Sequence, residues 1–239
     1  MRILAQFSKE EAVRFISHLD LLRTIQRCFR RANIPIAFSH GFNPHPILSF
    51  ASALSVGLTS QAEYFDVLLD QDIDPRMFIK DMNRFLPNGI TVLDAMIISL
   101  SYPAPMSIIQ KAEYSVELVG LQEQVEITDY IHKLIKHDEI IIERENKKGK
   151  QLMDIKPYID KLYVLSLPSD KITLIMLVTS NSTITVKPEY VIKSLFREAS
   201  INIDNIQIQY HRLGLFMNKR NVLLSPMKYY ELLENGETI

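Results

Sequence analysis

One cysteine, Cys28, is all that the 239 residues carry. An intrachain disulfide is excluded, and so is an iron–sulfur site of the CxxxCxxC type, because thiolates have to hold that iron. No apolar run approaches the ~20 residues that a bilayer-crossing helix needs. The opening Met1-Arg2-Ile3-Leu4-Ala5-Gln6-Phe7-Ser8-Lys9-Glu10-Glu11 turns polar too early for a secretory signal. GxxxxGK(S/T), GxGxxG and GxSxG are missing, which removes the common nucleotide and hydrolase readings. Neither sign of charge dominates: 27 basic against 28 acidic side chains give a net charge of −1. Such a balance exerts no global pull on nucleic acid or anionic lipid, so any such attraction must be local. The chain is therefore expected in a reducing cytoplasm, with no membrane contact and no metal or other cofactor of its own.

Hydrophobic residues at 47% and charged residues at 23% are the composition of a folded globular protein. Periodicity predicts a strand at Arg2–Phe7, a helix at Ser17–Ala32 and an alternating strand at Ser49–Val56. In that strand Phe50, Leu54 and Val56 share one side with Ser52. Tyr64–Leu69 reads as a strand, Pro75–Leu86 as a helix with Pro75 in its first turn, and Ile90–Ile98 as a strand. Ser101-Tyr102-Pro103-Ala104-Pro105 reads as a linker, because two prolines in three residues cannot continue helix or central strand. The second half repeats the order more loosely. Ala112–Val119 is a strand, and Gln122–His137 a helix turning Val125, Ile131, Leu134 and Ile135 inward. Ile140–Glu143, Tyr163–Leu167 and Ile172–Thr179 are strands, Lys187 to Ala199 is a helix, and Ile206–Tyr210 a closing strand. Lys147-Lys148-Gly149-Lys150 has the look of a solvated hairpin tip. The expected fold is α+β: two tandem ferredoxin-like (βαββαβ) domains with antiparallel sheets, over 1–100 and 101–239, the second with an extra hairpin.

One block is dense in polar and special residues. Arg14-Phe15-Ile16-Ser17-His18-Leu19-Asp20 leads into the first helix. Ser39-His40-Gly41-Phe42-Asn43-Pro44-His45-Pro46 follows it, and then come Ser49-Phe50-Ala51, Gly57, Ser60, Glu63 and Asp66. The RFxSHLD, SxGFNPHPxxSFA and SxxEYxD patterns over residues 14–69 closely resemble the radical SAM-associated (radical SAM-linked) protein family, a domain of unknown function. Its members stand alone or are fused behind a cobalamin-binding-type radical SAM enzyme. A weaker echo runs through Asp154-Ile155-Lys156-Pro157-Tyr158 and Arg212-Leu213-Gly214-Leu215-Phe216 to Ser225-Pro226. Lys156 stands where the pattern leads one to expect arginine, and a lysine cannot make the planar two-point contact. Leu213 stands where a small polar residue is expected. The resemblance implies a working relationship with a radical SAM enzyme on a separate chain and supplies no catalytic residue.

Each residue has a plain reading beside the functional one. Ser17 and Asp20, three apart at a helix mouth, form a capping box, or Asp20 orients His18. His18 shares a face with Leu22, Ile25 and Phe29, which is the usual place of a packed histidine; acid–base or ligand work is the alternative. Arg23, Arg27, Arg30 and Arg31 recur at i, i+4, i+7 and i+8. Residues 9–45 hold six basic side chains against three acidic ones, so this stripe is either a solvated face or a phosphate-facing ridge. Gly41 permits a positive φ while Pro44 and Pro46 stiffen the loop, fixing Asn43 and His45 as a recognition element needs. Glu63 and Asp66, three apart in a strand, fall on opposite faces and make no dyad; Asp66 is expected to pair with an arginine.

The expected function is an accessory or substrate-binding partner of a radical SAM enzyme, more a non-catalytic partner than an enzyme, presenting substrate through this His/Asn/Pro loop. The binding candidates are Arg14, His18, Asp20, Arg23, Ser39, Gly41, Phe42, Asn43, His45, Ser49, Glu63 and Asp66, and any catalysis would fall to His45, His18 or His40. The alternative is an RNA-binding module using Arg23, Arg27, Arg30 and Arg31, with metal-independent RNA processing by His45 or His40 as its extension.

Overall fold

The apolar opening of the chain becomes an interior strand. β1 (Arg2–Lys9) buries almost every residue, so it needs a neighbour on each side. It has them: β3 (Thr59–Leu68) pairs with Arg2 opposite Leu68, and β4 (Ile90–Ile98) pairs with Arg2 opposite Ile98, both antiparallel. β2 (Leu48–Phe50) adds to the far side of β3, with Ser49 opposite Asp66. The order β4-β1-β3-β2 results, with α1 (His18–Arg31) between β1 and β2 and α2 (Pro75–Phe85) between β3 and β4.

The computed structural model describes residues 1–121, 127–146, 149–166 and 171–236. The chain divides into two compact units, Met1–Gln110 with Arg212–Ile239, and Lys111–His211. In the first, one face of α1 and one of α2 close over the sheet. Leu21, Ile25, Cys28 and Phe29 meet Phe78 and Met82 above Phe7, Phe50 and Phe65. The rings of Phe7, Phe29, Phe50, Phe65 and Phe78 approach one another at 5.7–6.5 Å between centroids. Such pairs add ~0.5–1.5 kcal/mol each beyond the area they bury. α1 starts on Ser17, whose hydroxyl accepts from the Asp20 amide, and Asn33 follows its end in the left-handed region at φ 51°. Asp74 caps α2 by accepting from the amides of Arg76 and Met77. A four-residue helix, α3 (Pro105–Ile108), ends this stretch.

In the second unit β5 (Lys111–Val119) and β8 (Ile159–Ser166) flank β9 (Lys171–Thr179), which is buried along nearly all its length, and both pairings are antiparallel. α4 (Ile127–Lys136) packs against α5 (Pro188–Glu198). β6 (Ile141–Asn146) and β7 (Gly149–Asp154) form the extra hairpin. β10 (Gln207–Lys219) begins in this unit and ends in the first. β11 (Val222–Leu224) turns back on β10, and α6 (Pro226–Glu234) closes the chain, capped by Ser225. The fold is thus mixed α and β with largely antiparallel strands.

Several expectations need correction. The strand predicted over Ser49–Val56 stops at Phe50, because the backbone leaves β3 after the Ala51 amide bonds Tyr64. Val56, expected on one side with Phe50 and Leu54, is 54% exposed while those two are buried. The division at residue 100 is not where the contacts divide. Residues 212–239 fold with the first unit, since Arg212 reaches Glu63 and Tyr230 donates to the Pro103 carbonyl. For the same reason 101–105 is no free linker: Arg2 donates to the carbonyls of Tyr102 and Pro103. The closing strand runs nine residues past Tyr210. Residues 122–126, with Val125, lie outside the described residues, as do Leu167 and the lysines 147 and 148.

Candidate functional site

A buried polar cluster in the first unit supports the motif block. Lys9 is 1% exposed and donates from Nζ to the carbonyls of Arg14 (2.9 Å) and Ile16 (3.4 Å). That fixes the turn carrying Arg14-Phe15-Ile16 into α1. The Gly57 amide bonds the same Arg14 carbonyl from the 51–58 loop. Below lies Glu63, which accepts from Arg212 at 2.8 Å; Arg212 also donates to the Ala53 carbonyl at 3.2 Å. Two cations and one carboxylate are thus buried together. Burial pulls the Lys9 ammonium below its ordinary range; Glu63 opposes this and Arg212 adds to it.

A second ion pair stands further along β3. Arg2 donates from Nε to Asp66 at 2.7 Å, so Asp66 takes an arginine as the sequence indicated. The other oxygen of Asp66, Oδ1, is buried without a hydrogen-bond partner. Glu63 and Asp66, candidates for contact with a substrate or partner, are both buried in ion pairs, with Arg212 and Arg2 respectively. Ser49 lies beside Asp66 in the β2–β3 register, half-buried.

The exposed part of the block is a loop with a fixed base. Ser39 donates its amide to the His45 carbonyl (2.9 Å), and its hydroxyl accepts from the His45 amide (3.1 Å) while touching Nδ1 of that ring (2.8 Å). Phe38 bridges to Pro46 just below. Between these anchors His40, Gly41, Phe42, Asn43 and Pro44 are exposed, Phe42 at 105%. Gly41 has φ 127°, which a residue with a Cβ adopts at a cost. Nearby in sequence, Phe15, Leu19, Phe38, Ile47 and Val56 are exposed as well, with the Arg14 guanidinium 4.6 Å from the Phe15 ring centroid.

The three imidazoles have separate surroundings. His18 packs edge-on to Phe50 at 5.2 Å between ring centres, His45 is held by Ser39, and His40 is exposed. Among the described residues no three His, Cys, Asp or Glu side chains converge as metal ligands would. Asp20 does not reach toward His18. Its carboxylate accepts from the Ser17 hydroxyl at 2.7 Å, which, with Arg23 at 3.4 Å, holds it below the usual carboxylate range. Arg14 pairs with Glu11. Arg23, Arg27, Arg30 and Arg31 are all exposed. Cys28 is buried, and burial pushes its thiol up to about 11, which leaves it no thiolate for nucleophilic work. In the second unit Lys156 donates to the Ile135 carbonyl, a contact that needs no guanidinium.

Sequence reading missed Lys9 and did not join Arg212 to Glu63. The available signal was a lysine closing a largely apolar strand. Nothing local connects positions 149 residues apart.

A family model described as "Uncharacterized protein conserved in bacteria (DUF2344)" matches residues 2–188. No curated protein matches the chain. Among solved structures it is similar to a chain of the "Crystal Structure of a Cbf5-Nop10-Gar1 Complex", with 10% identity and a TM-score of 0.51, over 99% of this chain and 57% of that one. A chain of the "Structure of H/ACA RNP bound to a substrate RNA containing 2'-deoxyuridine" is similar at 12% identity, with a TM-score of 0.48, over 99% and 56%. The first likeness shows a shared fold; this chain spans little more than half of that protein.

Proposed function

The chain belongs to this uncharacterized bacterial family, and from its surface we propose a non-catalytic accessory protein that docks on a radical SAM enzyme in the cytoplasm. The observation that carries the reading is Phe42, fully exposed on a loop closed by Ser39 and His45. An aromatic ring held out by a pre-shaped loop loses little freedom on docking, and such rings are the usual anchors of protein interfaces. Phe38 and Ile47, at the base of the same loop, are exposed as well and add apolar surface beside it. The enzyme's identity rests on the resemblance of residues 14–69 to the radical SAM-associated family. Its substrate would meet Asn43, His40 and His45 at the loop. We read each unit as ferredoxin-like. The order β4-β1-β3-β2 of the first supports this, as does β10-β5-β9-β8 in the second with the hairpin inserted.

Affinity capture of the tagged chain from its own cells, without oxygen and at low salt, tests the proposal. A radical SAM protein should be recovered, and Phe42→Ala should reduce its yield. Recovery of the chain alone would end the reading.

A second reading, RNA binding through α1, draws on the exposure of Arg23, Arg27, Arg30 and Arg31 together in a chain whose net charge is −1.

A further inference from the structure

The cationic stripe of α1 has a counterpart on the helix packed beside it. Arg76, Lys80 and Arg84 recur every four residues along α2, and all three are exposed. The two helices are neighbours: the Cys28 thiol donates to the Met82 carbonyl at 3.3 Å, and the rings of Phe29 and Phe78 lie 6.3 Å apart. Their cations also converge. Arg31 of α1 and Arg84 of α2 sit 5.6 and 5.5 Å from the centre of the Phe85 ring, so one half-buried ring holds a guanidinium from each helix. Together α1 and α2 carry seven basic residues against two carboxylates, Asp20 and Asp81, in a chain where acids slightly outnumber bases.

Two ordinary explanations fall short. Surface cations are commonly neutralised by neighbouring carboxylates. Here no carboxylate among the described residues lies within 4.0 Å of Arg27, Arg30, Arg76, Lys80 or Arg84, and Arg23 has only Asp20 at 3.4 Å. Cations also favour helix C-termini, where the macrodipole is negative, which accounts for Arg30, Arg31 and Arg84. It does not account for Arg23 and Arg27 in mid-helix. Arg76 sits in the first turn of α2, where the dipole opposes a cation. Folding alone thus gives no reason to gather these charges on one two-helix face.

We propose that α1 and α2 form one composite surface that binds the phosphodiester backbone of a nucleic acid, with Arg27, Arg30, Arg76, Lys80 and Arg84 on successive phosphates. This rests on the second reading above and extends it to a helix that reading does not include. Unpaired cations spread over two helices suit a ligand with repeated single negative charges, and each neutralised phosphate releases counterions and steepens the salt dependence. No base-reading group is required.

Fluorescence anisotropy with a labelled single-stranded RNA of about 20 nucleotides tests this, at salt from about 50 to 300 mM. Two variants are compared, Arg76→Ala/Lys80→Ala/Arg84→Ala on α2 and Arg23→Ala/Arg27→Ala/Arg30→Ala on α1, each with unchanged circular dichroism. The α2 variant is expected to bind at least about tenfold more weakly, with a log–log salt slope shallower by about 2. A DNA of the same sequence shows which nucleic acid is preferred, and the α2 variant must weaken whichever strand binds. If RNA binds but only the α1 variant weakens it, the composite surface is wrong and the RNA reading survives. No retention at the lowest salt overturns both. Displacement by polyglutamate at equal charge would assign the face to an acidic protein and overturn the proposal.

Discussion

Glu63 and Arg212 meet at 2.8 Å with 2% of either side chain exposed, although 149 residues separate them along the chain. Lys9 makes the arrangement unequal. Without Glu63 two buried cations face each other; without Arg212, Lys9 still faces the carboxylate. Breaking a buried pair costs ~3–5 kcal/mol because a charge is left uncompensated. Glu63→Gln should therefore cost that much in urea unfolding, and Arg212→Met distinctly less. Equal costs would show that Lys9 does not share the carboxylate.

His211 gives the stability a pH dependence. Burial holds its imidazole below the ordinary range, with Glu117 acting the other way. Its folded pKa is depressed, so between that value and about 6.5 the unfolded chain binds more protons than the native one. Stability is lost as pH falls through this window and returns above it. Unfolding midpoints compared from about pH 7.5 to 5 should show wild type losing stability relative to His211→Gln as pH falls. A constant difference refutes the assignment.

Ser39→Ala removes the hydroxyl that holds both the amide and the ring of His45. The loop is exposed, so global stability should change by less than ~1 kcal/mol. Proteolysis between residues 39 and 46 should accelerate, and capture of the partner should weaken several-fold, since the loop must then be ordered on binding. Unchanged proteolysis would mean that Pro44 and Pro46 suffice to hold it.

Arg2→Lys keeps the charge beside Asp66 but cannot also reach both carbonyls of the 102–103 segment. A loss of ~1 kcal/mol is expected, chiefly from the part-buried Tyr102 carbonyl left without its donor, since the Pro103 carbonyl keeps Tyr230. Amide exchange near residues 101–105 should rise with it. A variant as stable as wild type would show that Tyr230 alone anchors the segment through the Pro103 carbonyl.

How much of this was legible depended on the range of each interaction. α1 and α2 could be read within about one residue, because their apolar spacing and their caps, Ser17 and Asp74, are local signals. β4 matched the expected Ile90–Ile98 for the same reason. The end of β2 was misjudged because small residues alternate beyond Phe50 without being paired. α6 went unread although Ser225-Pro226 is an ordinary helix opening, capped at the Lys228 amide. The 39–46 loop was visible in its prolines and glycine. The cluster behind the Arg14–Ile16 turn was not, since Lys9, Glu63 and Arg212 come together only through strand register.

β10 starts in one unit and finishes in the other, so the first is built from both ends of the polypeptide with a hundred residues in between. On the ribosome Lys9 and Glu63 must wait, already synthesised, until Arg212 emerges. A fragment stopped at Gln110 would hold these two side chains without their third member and without the strand that covers β3. The Lys111–His211 segment is contiguous and is the natural part to excise or exchange. The first unit has to be produced as a spliced molecule, with the segment ending at Gln110 rejoined to the one that begins at Arg212.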